Sequence, residues 1–203
     1  MSFRPTKIIS GGQTGVDQGA LAAALSMGYE IGGWCTVDRR TEDGEIPAEF
    51  PLEATDSPDY LVRTRLNVET ADATVVATYE DEQKLTGGTQ RTVEFCRAFE
   101  CPHFVLTLER GADKGLNLAA AKAIRAWWDF LEPATVNFAG PRESRAPGIQ
   151  AQVEEIVRFA LQTRSRCLCG RETPDWVWLQ AERKKQPVRC SQCGHVTYGS
   201  DLT

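Results

Sequence analysis

The chain has 203 residues, of which 41% are hydrophobic and 25% are charged, and its formal net charge is −5. This composition is ordinary for a globular protein, and it excludes disorder, collagen and a coiled coil as the main structure. The acidic total also argues against a protein that clamps nucleic acid over its whole surface.

The opening residues, MSFRPTK, lack the apolar core of a signal peptide. No apolar run approaches the roughly 18 residues that a membrane-spanning helix needs. We therefore expect a cytoplasmic protein with no membrane partner.

Charge and cysteine content both change near residues 163–166, and this predicts a domain boundary. Residues 1–164 contain 17 basic and 24 acidic residues, whereas residues 165–203 contain 6 basic and 4 acidic residues. The first part is therefore acidic and the second slightly basic. Four of the seven cysteines also lie in the second part. We expect a main domain over residues 1–164 and a small module over residues 165–203.

Short β-branched runs alternate with helical patterns along the main domain. The predicted strands are residues 6–10, 29–34, 73–78, 104–108 and 135–138. The predicted helices are residues 16–27, 60–70, 90–99, 118–131 and 149–161. Residues 35–58, rich in proline, glycine and acidic residues, are predicted to form a long loop. This alternation predicts an α/β fold, a parallel sheet with helices on both faces.

Three glycine-rich turns, after Ser10, before Gly88 and at Gly140, adjoin predicted strands or helices. Ligands in parallel α/β folds bind beyond the carboxyl ends of the strands, so we expect the turns to share one crevice.

The first turn, residues 10–17 (SGGQTGVD), precedes a predicted helix. Glycines there let backbone N–H groups approach an anion such as phosphate. The turn lacks the lysine and the spacing of the common phosphate-binding loops, so a plain tight turn is the alternative. Asp17 either caps the helix or binds a ribose hydroxyl or a metal. The candidate ligand-binding residues are Gly11, Gly12, Gln13, Thr14, Gly15 and Asp17.

The second turn and the helix after it contain small and hydroxyl residues that suit a phosphate. Glu94 lies within this helix and is either a general base or ribose ligand, or only a complement to the helix dipole. The candidate ligand-binding residues here are Thr86, Gly87, Gly88, Thr89 and Glu94.

The third turn, residues 137–144 (NFAGPRES), adds Gly140 and Arg142 to the candidate ligand-binding residues. Arg142 either clamps a phosphate in bidentate fashion or is a solvated surface charge. In the predicted helix of residues 118–131, Trp127 and Trp128 are expected to pack against the sheet or a partner subunit.

The segments SGGQTGVDQGAL, GGWC, RTRLNVE, LTGGTQRTVE and NFAGPRES together resemble the circularly permuted YpsA-like branch of the SLOG superfamily. That branch is often labelled "putative molybdenum carrier", and the resemblance covers roughly residues 5–162. It implies a Rossmann-like fold, a nucleotide-derived ligand and a homo-oligomer. The related LOG phosphoribohydrolases share the signature P-G-G-x-G-T-x-x-E. Gly87, Gly88 and Glu94 match it, whereas Thr86, Gln90 and Arg91 depart from it.

The tail contains two cysteine pairs, Cys167-x-Cys169 and Cys190-x-x-Cys193, at a spacing typical of a tetrahedral structural zinc ion. His195 is an alternative ligand to one thiolate. The tail resembles a zinc ribbon, a small β module. Its tryptophans and the basic run 183–185 are compatible with nucleic-acid binding, but we favour association with protein or with itself.

We therefore expect the chain to bind a phosphate-bearing ligand as a sensor or carrier, the ligand being a nucleotide, ADP-ribose-like or molybdopterin-like. The first alternative is a hydrolase of a nucleotide glycosidic or phosphate bond, with Glu94 or Asp17 as the catalytic residue. The second is a nucleic-acid adaptor that acts through the zinc-ribbon tail. Whether the chain is an enzyme stays open at this stage.

Overall fold

A computed structural model describes residues 3–162 and, beyond them, only the two short strands Val188–Arg189 and Val196–Thr197. The chain divides into two compact units, Met1–Leu161 and Gln162–Thr203. The predicted zinc ligands Cys167, Cys169, Cys190 and Cys193 lie outside the described residues, as does His195.

The first unit alternates strands and helices along the chain. Its strands are β1 (Lys7–Ile9), β2 (Glu30–Gly32), β3 (Trp34–Cys35), β4 (Arg40–Thr41), β5 (Gly44–Glu45), β6 (Glu53–Ala54), β7 (Ala73–Thr78), β8 (His103–Thr107) and β9 (Thr135–Ala139). Its helices are α1 (Val16–Ser26), α2 (Tyr60–Glu69), α3 (Gly87–Ala98), α4 (Lys114–Leu131) and α5 (Ile149–Leu161), and Glu82–Lys84 forms a 3₁₀ turn.

Five strands form one parallel sheet in the order β2-β1-β9-β7-β8. The last of these five strands in sequence, β9, lies between the first, β1, and the longest, β7. The α/β prediction of a parallel sheet is therefore confirmed. The chain runs outward from β1 to β2 and outward again from β7 to β8, which leaves a topological switch point at the centre.

The strand β7 shows that helices cover both faces of the sheet. All six of its residues are buried, as expected for a central parallel strand. Val75 and Ala77 belong to the large core formed with α1, α4 and α5. Val76, which points to the opposite face, packs instead with Leu85 and with Val93 of α3.

The large core also contains the second of the two adjacent tryptophans. Trp128 is fully buried and meets the ring of Phe138 edge to face, at 6.4 Å between centroids. Trp127 is half-buried and packs against Phe104 at 5.7 Å between centroids. Both tryptophans thus pack against strands of the sheet, one of the two environments that the sequence left open.

Helix α3 begins three residues earlier than the sequence pattern indicates. Its first turn contains Gly87 and Gly88, which are poor helix formers, so propensity places the start at Gln90. The predicted long loop also contains regular structure, because β4 and β5 form an antiparallel hairpin and β6 pairs with β3.

The second unit is described only through its antiparallel strands β10 (Val188–Arg189) and β11 (Val196–Thr197). None of the helices in the described residues is both long and apolar enough to cross a membrane.

A buried arginine caps the carboxyl end of α5. Arg125 of α4 is 8% exposed, and its guanidinium donates to the carbonyl oxygens of Phe159 and Ala160. These carbonyls belong to the last turn of α5, where no intrahelical donor remains for them. Arg125 therefore fastens the end of the first unit to α4.

We expect Arg125→Met to lower the free energy of unfolding of the first unit by about 2 kcal/mol, because it removes charged hydrogen bonds to those carbonyls. Urea unfolding followed by tryptophan fluorescence, to which buried Trp128 contributes, measures the change. Lys122→Met, at an exposed position of the same helix, is the control. Equal stability of the Arg125 variant and the control would contradict this role.

Candidate ligand-binding cleft

A cleft of about 760 Å³ opens at the carboxyl ends of β1, β9 and β7, the three central strands of the sheet. Residues from all three predicted glycine turns line it, among them Gly11, Gly88 and Gly140. The cleft therefore lies at the switch point of the sheet, where parallel α/β folds bind ligands.

Most amides of the first turn are already bonded within the protein. The N–H of Gln13 donates to the Asp17 carboxylate at 3.2 Å, and the N–H of Thr14 donates to the Gln13 side chain at 3.0 Å. The N–H of Gly15 donates to the Gln150 side chain at 2.9 Å, and that of Val16 donates to the Pro141 carbonyl at 3.4 Å. These bonds lock the turn, and they leave few of its amides for an anion.

Only three candidates of this turn line the cleft, Gly11, Gln13 and Asp17. Gly12 lies against the side chains of Ile46 and Leu52 instead. Thr14 is buried, and its hydroxyl donates to Glu42.

Asp17 forms a buried ion pair with Arg63 of α2 in the wall of the cleft. The Nη1 atom of Arg63 lies 3.0 Å from Oδ2 of Asp17, and the two side chains are 17% and 6% exposed. Burial raises the pKa of the Asp17 carboxyl, and the Arg63 guanidinium opposes that rise without cancelling it. The predicted capping role of Asp17 is wrong, because α1 has no side-chain cap and the Asp17 carboxylate bonds Arg63 and the Gln13 amide instead.

The position of Arg63 requires glycine at residue 11. A Cβ atom at Gly11 would lie 1.4 Å from Nη1 of Arg63 and 3.0 Å from Oδ2 of Asp17. Any side chain there would displace the guanidinium from the carboxylate. The first glycine of the motif therefore makes room for an ion pair.

The first residues of α3 line another part of the cleft. Within the described part of the chain, no acceptor bonds the amide N–H groups of Gly87, Gly88 and Thr89, and Thr86 gives no side-chain cap. By contrast, Asp59 and Asp113 accept from first-turn amides of α2 and α4. The start of α3 therefore keeps its amides and its positive dipole end available.

Glu94 lies outside the residues that line the cleft. Its carboxylate accepts from Gln90 at 2.8 Å and pairs with Arg91 at 2.7 Å on the surface of α3. Of the two candidate catalytic residues, Glu94 and Asp17, it is therefore Asp17 that lines the cleft.

The third turn contributes Gly140 and Arg142 to the cleft, and Arg145, one residue beyond the turn, also lines it. Arg142 is 48% exposed, and its Nε lies 3.8 Å from the Glu42 carboxylate. Its guanidinium therefore remains accessible from the cleft.

Glu42 joins three separate segments at the rim. It lies between β4 and β5, and its carboxylate accepts hydrogen bonds from the Thr14 hydroxyl and from both the amide and the hydroxyl of Ser144. Burial by itself would raise the pKa of Glu42, but these hydrogen bonds and Arg142 hold it below its usual value. We call Glu42 and its partners Thr14 and Ser144 the rim latch.

The sequence pattern did not indicate several other residues of the cleft. Arg110 stacks over the ring of Tyr79 with its guanidinium carbon 4.3 Å from the ring centroid. Tyr60, which is 48% exposed, adds a second aromatic ring to the lining. The sequence indicated this part of the cleft only through the RTRLNVE segment, which contains Arg63, and through the length of the loop before that segment.

Basic side chains outnumber acidic ones in the lining. The arginines are Arg40, Arg63, Arg110, Arg142 and Arg145, and the carboxylates are Asp17, Asp38, Glu42 and Glu80. Two of these carboxylates are already bonded, Asp17 to Arg63 and Glu42 within the rim latch. The lining therefore contains one more basic than acidic side chain, whereas the chain as a whole is acidic.

The described residues contain no group of three His, Cys, Asp or Glu side chains that could hold a metal ion. Cys35, Cys96 and Cys101 are buried free thiols within the first unit.

A model of the "Circularly permutated YpsA SLOG family" matches residues 8–161 of the chain. Among solved structures, the chain is similar to a "Putative molybdenum carrier protein" from Syntrophus aciditrophicus SB, with 31% sequence identity and a TM-score of 0.73. The alignment covers 80% of this chain and 98% of that one. No match was found among curated proteins.

The rim latch makes the stability of the cleft depend on pH. The folded protein holds the pKa of Glu42 below its ordinary value of 4.5. The contribution of the charged Glu42 side chain to the free energy of unfolding is therefore complete above pH 4.5, and it is lost as the pH falls through the folded pKa. We expect Glu42→Gln to lower the thermal midpoint at about pH 7, and we expect the difference from wild type to shrink towards about pH 3.

Thermal unfolding of both proteins across this pH range measures the effect. Glu45→Gln, at an exposed position of the same hairpin, is the control and should have the same thermal midpoint as wild type at every pH. A constant difference between Glu42→Gln and wild type at every pH would rule out the charged latch.

Proposed function

The chain belongs to the circularly permuted YpsA SLOG family, and on that premise we propose that its cleft binds a phosphate-bearing, nucleotide-derived ligand as a sensor or a carrier. The observation that carries this proposal is the open start of α3. Gly87, Gly88 and Thr89 present amides without a protein acceptor among the described residues, and they share the cleft with Arg142. Helix N-termini and arginine side chains are the groups with which proteins bind phosphate.

The size of the cleft agrees with a small-molecule ligand. Its volume of about 760 Å³ falls within the range of about 300–1,000 Å³ for such sites. A nucleotide, an ADP-ribose-like molecule and a molybdopterin-like molecule each combine a phosphate with a ring system. Tyr60 offers exposed aromatic surface for that ring. The relative from Syntrophus aciditrophicus SB is named a "Putative molybdenum carrier protein", which keeps the molybdopterin-like molecule in this set.

The phosphate contacts that we propose lie at the start of α3 and on Arg142, rather than being spread over Gly11–Gly15. Hydrogen bonds within the protein already use the amides of Gln13, Thr14 and Gly15, and breaking them would cost free energy. In this proposal the first turn is a rigid support, and the start of α3 together with Arg142 of the third turn forms the anion site.

The hydrolase alternative has one observation in its favour. Asp17 lines the cleft, and its raised pKa brings it closer to the range of a general base. Against this, Arg63 and the Gln13 amide already bond its Oδ2 atom, and Glu94 pairs with Arg91 outside the lining. We therefore propose binding rather than turnover.

For the tail we propose one structural zinc ion held by Cys167, Cys169, Cys190 and Cys193, because four thiolates at this spacing suit tetrahedral zinc. Native mass spectrometry should find one zinc per chain, and a chelator should remove it. A metal-free chain would exclude the zinc ribbon and, with it, the adaptor function. The same spectrum reports whether the chain forms the proposed homo-oligomer.

For the cleft, we expect AMP to bind wild-type protein. We expect Arg142→Gln to raise the Kd for AMP by about tenfold, because the variant loses a charged hydrogen bond to the phosphate. Isothermal titration calorimetry measures both values. Arg91→Gln removes an exposed arginine outside the lining, so it is the matched control and should bind as wild type does. Equal losses in both variants would indicate only a non-specific effect of charge.

Recovery of AMP after the titration separates binding from hydrolysis. Intact nucleotide supports a sensor or carrier. Release of adenine or phosphate that Asp17→Asn abolishes would establish the hydrolase instead. Failure of AMP, ADP-ribose and inorganic phosphate to bind at all would overturn the proposed function.

A further inference from the structure

The Asp17–Arg63 pair leaves polar groups unused at the wall of the cleft. One contact joins the pair, from Nη1 of Arg63 to Oδ2 of Asp17, and the Gln13 amide bonds the same oxygen. The nearby Ser10 hydroxyl donates to the Phe138 carbonyl at 2.6 Å. Asp17 therefore retains acceptor capacity on Oδ1. The other guanidinium donors of Arg63 have no acceptor among the described residues.

These unused groups have opposite character and lie side by side. A carboxylate only accepts hydrogen bonds, whereas a guanidinium only donates them. Both side chains are largely buried, at 6% and 17% exposure, so a ligand group that contacts them is also removed from water. In such a place an unmatched polar group carries the full cost of its lost hydration.

A phosphate is a poor match for this pair. It would gain from Arg63 but would meet the negative charge of Asp17 at close range. The edge of a guanine or pterin ring combines N–H donors, which suit Asp17, with a carbonyl oxygen, which suits Arg63, so such a ring is the competing occupant of this site. A phosphate leaves one member of the pair unmatched, and the comparison of AMP with its deoxy forms distinguishes a hydroxyl from a ring edge.

A hydroxyl satisfies both, because it can accept a hydrogen bond from Arg63 while it donates its own proton to Asp17. Two neighbouring hydroxyls on a sugar ring supply this combination twice. The absence of a Cβ at Gly11 keeps the guanidinium beside the carboxylate, so the pair is set in place before a ligand arrives.

We propose that Asp17 and Arg63 form a sugar-hydroxyl subsite that selects ligands with a ribose diol over those with deoxyribose. This inference rests on the proposed function, since it assumes a nucleotide-derived ligand. It assigns the first glycine turn to the sugar and leaves the phosphate to α3 and Arg142. It also makes Arg63, from a helix distant in sequence, a specificity-determining residue.

The test on the ligand side needs no variant. We expect AMP to bind wild-type protein at least about tenfold more tightly than 2′-deoxy-AMP or 3′-deoxy-AMP, because a missing hydroxyl leaves the buried pair unmatched. Isothermal titration calorimetry compares the three nucleotides. Equal affinity for all three would overturn the sugar subsite while leaving the proposed function intact.

The test on the protein side uses Asp17→Asn and Arg63→Gln. In Asp17→Asn the preference for AMP over the deoxynucleotides should fall towards one, because Arg63 uses the single carbonyl oxygen of asparagine and the NH2 group that then faces the hydroxyl only donates. Arg63→Gln should have the same effect, and both folded variants should still bind inorganic phosphate, because its proposed contacts lie at the start of α3 and on Arg142. An unchanged preference in the folded variants would overturn the subsite.

The exposed pair Arg65–Glu69 on the same helix provides the matched control. Arg65→Gln and Glu69→Gln should keep the full preference for AMP. Thermal unfolding of each variant checks that it is folded before binding is compared. If AMP, ADP-ribose and inorganic phosphate all fail to bind wild-type protein, the proposed function and the subsite fail together, an outcome distinct from binding without discrimination.

Discussion

The cleft depends on a close approach between the segment that follows β9 and its neighbours on both sides. A Cβ atom at Gly140 would lie 2.3 Å from the carbonyl oxygen of Ala77 in β7 and 2.5 Å from a methyl group of Val16 in α1. Only a glycine lets the chain leave the sheet there, and the amide of Val16 then bonds the carbonyl of Pro141. This contact brings the three turns to one place, because β9 lies between β1 and β7.

Once the turns meet, hydrogen bonding gives each a different role. The amides of the first turn are bonded within the protein, so that turn is a rigid support for Asp17 and Arg63. The start of α3 makes no such bonds among the described residues and keeps an anion site open. Glu42 holds the hairpin between β4 and β5 onto both neighbouring turns, so residues of the predicted loop become part of the cleft. Rigid support beside open donors is the arrangement that selective binding requires.

Local sequence patterns predict much of this fold. Where a prediction from them is wrong, the physical cause is clear. The apolar run Ala73–Thr78 and the helical stripe of Ile149–Leu161 match the described elements, because a buried strand and an amphipathic helix each have their own period. The start of α3 was misplaced because glycine propensity opposes a first turn that the fold stabilises. Glu94 was a candidate because of its spacing after two glycines, yet helical geometry pairs it with Arg91 outside the lining.

The sequence by itself determined the alternation of strands and helices, the three glycine turns and the resemblance to a family, since each is a local pattern of residue types. Only the tertiary structure decided which donors and acceptors are already used, and that choice separates scaffold from binding site. The Arg63–Asp17 pair joins residues 46 positions apart, and the Ser144–Glu42 bond joins residues 102 apart. Such contacts depend on the packing of whole elements, which no local period encodes.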